Sequence, residues 1–274
     1  MTSVQFDRVS KWYPMYSSLR GVKASLAHLP ALLRSLKSEK FAALQDVSFT
    51  IRQGETVGLI GSNGSGKSTT LGLIAGVLVP QQGCVEVQGR VCPLLELGAG
   101  FHPELTGRDN LMLNGVLLGL TRREIRQRMD AIIAFSELEA FLDQPLRTYS
   151  TGMLARLGFS VAAHLDPDIF LIDEILAVGD LHFQSKCRRK MEEVKARGVT
   201  IILVTHSVAE VAQLCDRAIW LDRGRVIEDG DAQKVLGQYQ RFQLSRDAMG
   251  VAPEQAELIS AQSVHARHPA GPHP

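Results

Sequence analysis

The sequence predicts an α/β fold, and three observations carry that prediction. ETVGLI at 55–60 is a short apolar run that passes straight into the glycine-rich GSNGSGKST at 61–69. TLGLIAGVL behind it has helical character, so strand, glycine loop and helix follow in succession. Two more short apolar runs, DIFLID at 168–173 and VTIILVTH at 199–206, read as buried strands. Between the loop and the first of these, residues 105–165 have helical periodicity, with the charges of TRREIRQRMD on one face.

The remaining elements follow in order. LQDVSFTIRQGETVGLI at 44–60 reads as two strands about a Gln53-Gly54 turn. AIWLDRGRVIEDG at 218–230 is a hairpin candidate with Arg223-Gly224 at its turn. No internal repeat is visible. These elements group residues 1–240 into one unit, with a helical subdomain at about 100–165 and an insertion at about 8–40. Residues 241–274 form a short extension, Ala-, Pro- and His-rich from about Gly250 onward and expected to be largely disordered. His265, His268 and His273 lie in that tail and fit it better than they fit a metal site.

Composition narrows the class. The chain has 274 residues, is 45% hydrophobic and 22% charged, and carries a formal charge of +1. That allows a sizeable core and gives no strong field for nucleic acid. No apolar run approaches the roughly 18 residues that argue for a spanning helix. MTSVQFDRVSKWY lacks the apolar centre of a signal peptide, so a membrane role is expected to be peripheral. Cys84, Cys92, Cys187 and Cys215 form no CxxC pair and read as small core residues of a reducing compartment.

GSNGSGKST matches GxxxxGK[ST]: Gly61, then Ser62, Asn63, Gly64 and Ser65, then Gly66, Lys67, Ser68 and Thr69. Glycines there let backbone N–H groups face phosphate oxygens, and the helix N-terminus adds its positive dipole. Lys67 is placed to reach the β- and γ-phosphates of a nucleotide, and Ser68 to ligate Mg²⁺. DIFLIDE ends a strand in two carboxylates. Asp173 is a candidate to hold Mg²⁺ through water, and Glu174 a candidate to deprotonate the attacking water. ILVTH ends another strand in His206, a candidate γ-phosphate contact. In YSTGM at 149–153, a Ser-x-Gly opens a helix. Ser150 and Gly152 can face an anion there, or Ser150 can simply cap the helix.

Together these motifs resemble the ATP-binding cassette (ABC) ATPases, from about Val4 to Val235. The resemblance implies a P-loop NTPase with a RecA-like core, an antiparallel β subdomain and a helical subdomain. It also implies a head-to-tail homodimer, in which Ser150, Thr151, Gly152 and Met153 of one copy close over ATP held by Lys67 of the other. Tyr149, Thr151 and Met153 depart from the usual LSGGQ, while Ser150 and Gly152 remain. AVGD at 177–180 looks like the dimer-contact loop, with Asp180 as its acid. Phe41 sits where an aromatic commonly stacks on adenine, and it reads equally as a core residue.

Two departures point to what the cassette drives. LTGRDN at 105–110 matches a segment that normally follows a Gln loop, yet counting back lands on Leu97 beside Glu96, with no Gln. CPLLELGAGFHPELTGRDNL instead resembles the ATPase subunits of bacterial polysaccharide exporters, which move O-antigen, capsule or teichoic acid. The resemblance makes Glu96, Leu97, Gly98, Ala99, Gly100 and Phe101 a loop coupling the nucleotide site to a polytopic membrane subunit. Glu96 would take over the usual Gln contact to Mg²⁺ and water. The other departure is segment 8–40, with seven Lys/Arg and one Glu, a local charge of +6. Val22, Leu26, Leu29, Leu33 and Leu36 recur on one helix face there. That stretch suits inner-leaflet lipid headgroups, a membrane subunit, or packing on its own domain. The chain ends about 35 residues past the cassette, too few for a carbohydrate-binding sandwich. The expected seat is the cytoplasmic face of the bacterial inner membrane, with no nucleic acid partner. The rivals are a soluble ABC ATPase acting on nucleic acid or the ribosome, and the ATPase of a small-solute exporter.

Overall fold

A computed structural model describes residues 1–14, 40–94, 98, 100–173, 179–205 and 207–248. The amphipathic stretch at 22–36 lies outside them, as do Glu96, Leu97, Ala99, Glu174, His206 and the tail.

Two strands open the chain, β1 (Thr2–Pro14) and β2 (Lys40–Arg52), paired antiparallel from Thr2 opposite Arg52 to Pro14 opposite Lys40. The segment expected as an insertion at 8–40 is therefore strand at both ends. β4 (Gln82–Val87) pairs with the other edge of β1, giving a three-stranded antiparallel sheet in the order β2-β1-β4.

β3 (Thr56–Ile60) is the centre of a second sheet. With β5 (Val91–Leu94), β6 (Ile169–Asp173), β7 (Thr200–Val204), β8 (Arg217–Asp222) and β9 (Arg225–Asp231) it forms six strands in the order β5-β6-β7-β3-β8-β9. All pairs are parallel except β8 with β9, the hairpin about Arg223-Gly224. β3, β6 and β7 read as continuous apolar runs because both faces are covered. The alternation survives inside the core: Ile169 and Leu171 face the layer shared with the three-stranded sheet, while Phe170 and Ile172 face the helices.

The helices are α1 (Lys67–Ile74), α2 (Gly107–Leu117), α3 (Arg122–Ser136), α4 (Thr151–Ala162), α5 (Leu181–Ala196), α6 (Val208–Leu214) and α7 (Ala232–Ala248). Their starts are written in the sequence. Thr106 caps α2 by accepting from Asp109 N (3.1 Å), and Thr121 with Glu124 forms a reciprocal capping box on α3. α2, α3 and α4 build a small core of their own around Leu111, Ile132, Leu142, Leu157 and Val161. α7 crosses residue 240 and packs Tyr239 edge-on and Phe242 tilted against Trp220, with ring centroids 5.5 and 5.0 Å apart. Among the described residues, no helix is long and apolar enough to cross a membrane.

Three of the four thiols are core residues, and burial pushes Cys92, Cys187 and Cys215 up to about 12. Cys84 departs from that expectation. It is exposed on β4, a strand with one open face.

Parallel pairing brings the C-terminal ends of β3, β6 and β7 to one edge of the sheet. Ile60, Asp173 and Val204 end there, and loops from that edge are where an α/β sheet binds its ligands.

Candidate functional site

The glycine loop leaves β3 at Gly61 and enters α1 through Gly66. Gly66 has φ +109, and a Cβ there would lie 2.6 Å from Leu44 Cδ2 and 2.7 Å from Ala43 O. Only glycine satisfies both the angle and the space. No side chain caps α1, so its N-terminal dipole faces the pocket rather than a capping oxygen.

That pocket has a volume of about 180 Å³. It is lined by Asn63, Gly64, Gly66, Lys67, Ser68 and Thr69 of the glycine loop and α1, by Asp173 and Val204 at the ends of β6 and β7, and by Phe41 and Ala43 of β2. Lys67 is 7% exposed, and its Nζ donates to Gly61 O (2.8 Å) and Ser62 O (3.0 Å). A buried ammonium, an uncapped helix end and an open glycine at position 64 fit a phosphate chain. The hydroxyl of Ser68 and the carboxylate of Asp173 are oxygen donors of the kind a hard cation takes. Ser62 and Ser65 stand back from the pocket. Ser62 Oγ donates to Asp222 Oδ1 at 3.4 Å, and Ser65 is buried under the loop.

Phe41 is 48% exposed and lines this pocket, so it is not a core residue. Ala43 is a lining residue that sequence reasoning missed. It stands two positions from Phe41 on β2, hence on the same face.

Glu174 and His206 lie outside the described residues, while Asp173, Thr205 and Ser207 beside them are described. Asp173 ends β6. Thr205 Oγ1 donates to Glu210 Oε2 (2.7 Å) and accepts from Ser207 N (3.0 Å), while Ser207 caps α6.

The YSTGM segment stands elsewhere. None of residues 149–153 lines the pocket beside the glycine loop in the same chain. Ser150 caps α4, accepting from Met153 N at 3.2 Å. Tyr149 is buried and donates to Phe141 O at 2.7 Å, which explains a tyrosine in that place. Met153 packs partly against the helical core, whereas Thr151 and Gly152 are exposed. A Cβ on Gly152 would meet nothing of its own chain nearer than Ser150 Oγ at 3.9 Å. Asp180 caps α5 through Phe183 N (2.9 Å) and accepts from Arg156 Nη2 (2.6 Å). The Phe183 amide first, and Arg156 with it, hold its carboxyl below the usual range.

In ELGAGFHP, Gly98 has φ +88 and Gly100 φ +83, and Phe101 N donates to Gly98 O at 2.9 Å. Gly98 and Phe101 line a cleft of about 330 Å³ with Pro103, Leu146, Arg147, Tyr149 and Leu154. Asn110, fully buried, ties the exit of this loop to α2. Its Oδ1 accepts from His102 N (2.7 Å), and its Nδ2 donates to His102 O, Leu105 O and Thr106 O at 2.9–3.1 Å. Thr106 O and Leu105 O keep backbone partners without it, but His102 N does not. Asn110→Ala should therefore cost about 2–3 kcal/mol, one orphaned donor plus a small cavity, as read by urea unfolding of the full chain.

The family model described as "ABC transporter" matches residues 44–177. The O-antigen export system ATP-binding protein RfbB of Klebsiella pneumoniae is 51% identical over 239 residues, covering 87% of this chain and 97% of that protein. This chain belongs to the ABC transporter family. The teichoic acids export ATP-binding protein TagH of Listeria monocytogenes serotype 4b (strain F2365) is 44% identical over 239 residues, 87% of this chain and 70% of that one. A solved ATP binding subunit of an ABC transporter superposes with a TM-score of 0.68 at 27% identity, covering 87% and 94% of the two chains. The dimeric, post-hydrolysis structure of an ATP-binding cassette bound to ADP and Pi gives 0.66 at 24% identity, covering 84% and 98%, a likeness of fold. In ABC terms, the six-stranded sheet is the P-loop core, the three-stranded sheet the antiparallel β subdomain, and α2–α4 the helical subdomain.

Proposed function

We propose that this chain is the ATP-hydrolysing subunit of an exporter that moves a lipid-linked polysaccharide, of capsule or O-antigen type, across the bacterial inner membrane. The observation that carries the reading is the identity to an O-antigen export ATP-binding protein over 97% of that protein's length. The phosphate pocket between β3 and β6 supports it. The subunit works as a homodimer on the cytoplasmic face, beneath a polytopic membrane subunit. The basic composition of residues 15–39 suits contact with that subunit or with inner-leaflet headgroups.

ATP would lie with its base against Phe41 and its phosphates over the glycine loop. Lys67 and the α1 dipole neutralise the β- and γ-phosphates. Bound Mg²⁺ would withdraw charge from the same phosphates, held by Ser68 and by Asp173 through water. Glu174 takes the proton of the attacking water, and His206 orients the γ-phosphate. The second copy supplies Ser150 and Gly152. The exposure of Gly152, without a steric reason in its own chain, supports approach by a partner's phosphate.

The loop at 96–101 couples this chemistry to the membrane subunit, which rests on the cleft beside Phe101 and Leu154. The test replaces Gly98 and Gly100 with valine. Both have left-handed angles, and a Cβ on Gly100 would lie 2.5 Å from Leu117 Cδ1. The double variant should keep most of the ATPase activity of the free subunit and lose export, measured as surface polysaccharide. Normal export would return the loop to an ordinary surface turn.

A further inference from the structure

None of residues 221–225 lines the pocket beside the glycine loop, yet their turn packs against two of the segments that do. Arg223 and Gly224 are the central residues of the β8–β9 hairpin, with φ +47 and +74, the left-handed pair that a tight two-residue turn takes. On one side the turn meets the glycine loop. Gly224 N donates to Ser65 O at 3.0 Å, Ser62 Oγ donates to Asp222 Oδ1 at 3.4 Å, and a Cβ on Gly61 would lie 2.1 Å from Leu221 O. On the other side it meets β2. Gln45 N donates to Gly224 O at 2.7 Å, Gln45 Nε2 donates to Arg223 O at 3.3 Å, and Gln45 Oε1 accepts from Arg225 Nη2 at 3.0 Å. The carbonyl of Ala43 lies where the three segments converge. A Cβ on Gly224 would lie 2.6 Å from Ala43 O, and one on Gly66 2.7 Å from the same atom. The obstacle at both places is backbone, so no side chain can swing aside to make room.

Phe41 and Ala43 line the pocket from β2, and Gly66 and Lys67 line it from the end of the glycine loop and the start of α1. β2 and β3 belong to different sheets, so no strand ladder sets the gap between these two groups. The turn is hydrogen-bonded to both. We infer that the β8–β9 turn is a positioning element for nucleotide, which holds the strand facing the base at a fixed distance from the loop holding the phosphates. This rests on the reading above that the base lies against Phe41. Two contacts on one ligand reinforce each other only when the geometry allows both at once. The turn therefore governs how much the base adds to the affinity of the phosphates, without touching either.

The test is calorimetric titration of the full chain with ADP and with pyrophosphate, which share the phosphates and differ in the nucleoside. Stacking of a base on an aromatic is worth about tenfold or more in affinity. Gly224→Ala, whose methyl group meets Ala43 O, should weaken ADP about tenfold and leave pyrophosphate within about twofold of the wild type. Retained pyrophosphate binding also shows that the variant is folded. Gln45→Leu guards against a misfolded Gly224 variant, because it keeps the backbone bond to Gly224 O and loses only the two side-chain bonds. It should shift the ratio of the two affinities the same way by about threefold. Gln45→Glu, which still accepts from Arg225, should recover part of that loss. A wild-type ratio in Gln45→Leu, or in a folded Gly224→Ala chain, would overturn the inference. Phe41→Ala separates the two ideas. If it weakens ADP alone while both turn variants keep the wild-type ratio, the base lies against Phe41 and the turn does no positioning. If it binds ADP as the wild type does, the base lies elsewhere, and the positioning role falls with that reading.

Discussion

Glu174→Gln should bind ATP as the wild type does and hydrolyse it about 10²–10⁴-fold more slowly, the usual contribution of a general base. β6 ends at Asp173, which lines the pocket beside the glycine loop. The next residue is the first carboxylate beyond it in sequence, and glutamine keeps its size while losing its basicity. The variant chain should accumulate as the ATP-bound dimer, because closure no longer leads to cleavage. Phosphate release and light scattering of the purified chain measure both effects. Hydrolysis at the wild-type rate would reassign the base.

Lys67→Ala should act one step earlier. Its ammonium is nearly enclosed by the loop, held by Gly61 O and Ser62 O, and the residue lines the pocket. Charge-assisted hydrogen bonds contribute about 1.5–3 kcal/mol each. Loss of the contacts to two phosphates should weaken nucleotide binding by about 100-fold or more, at about 1.4 kcal/mol per factor of ten. Titration with a fluorescent ATP analogue reads this directly. An affinity equal to the wild type would place the phosphates elsewhere. The two variants thus separate binding from chemistry: one binds and does not cleave, the other does not bind.

Much of this site is legible in the sequence because phosphate chemistry constrains neighbours in sequence. The glycine loop must follow a strand and open a helix, and it does. The capping signals Thr106, Thr121 and Ser150 are equally local. Local reasoning fails where partners are distant. α1 ends at Ile74, short of the apolar run through Leu78, because Gly76 turns at φ +71 and Val77 and Leu78 both donate back to Gly72 O. β4 has too little apolar pattern to stand out, and it becomes a strand by pairing with β1 more than seventy residues earlier. The strands around 8–14 and at 40 hide inside a stretch that reads as insertion, since its basic composition masks their pairing. Asn110 and Gln45 carry no periodic signal at all. Their importance appears only when α2 meets the loop at 102–106 and β2 meets the β8–β9 turn.

The central claim is that ATP hydrolysis by this chain drives polysaccharide export. The most direct measurement is surface polysaccharide in a strain lacking the chain, complemented by the wild type or by Glu174→Gln. The account predicts that the deletion loses surface polysaccharide and accumulates lipid-linked glycan at the inner membrane, that the wild type restores export, and that Glu174→Gln does not. Full surface polysaccharide in the uncomplemented deletion, or in the Glu174→Gln strain, would contradict it.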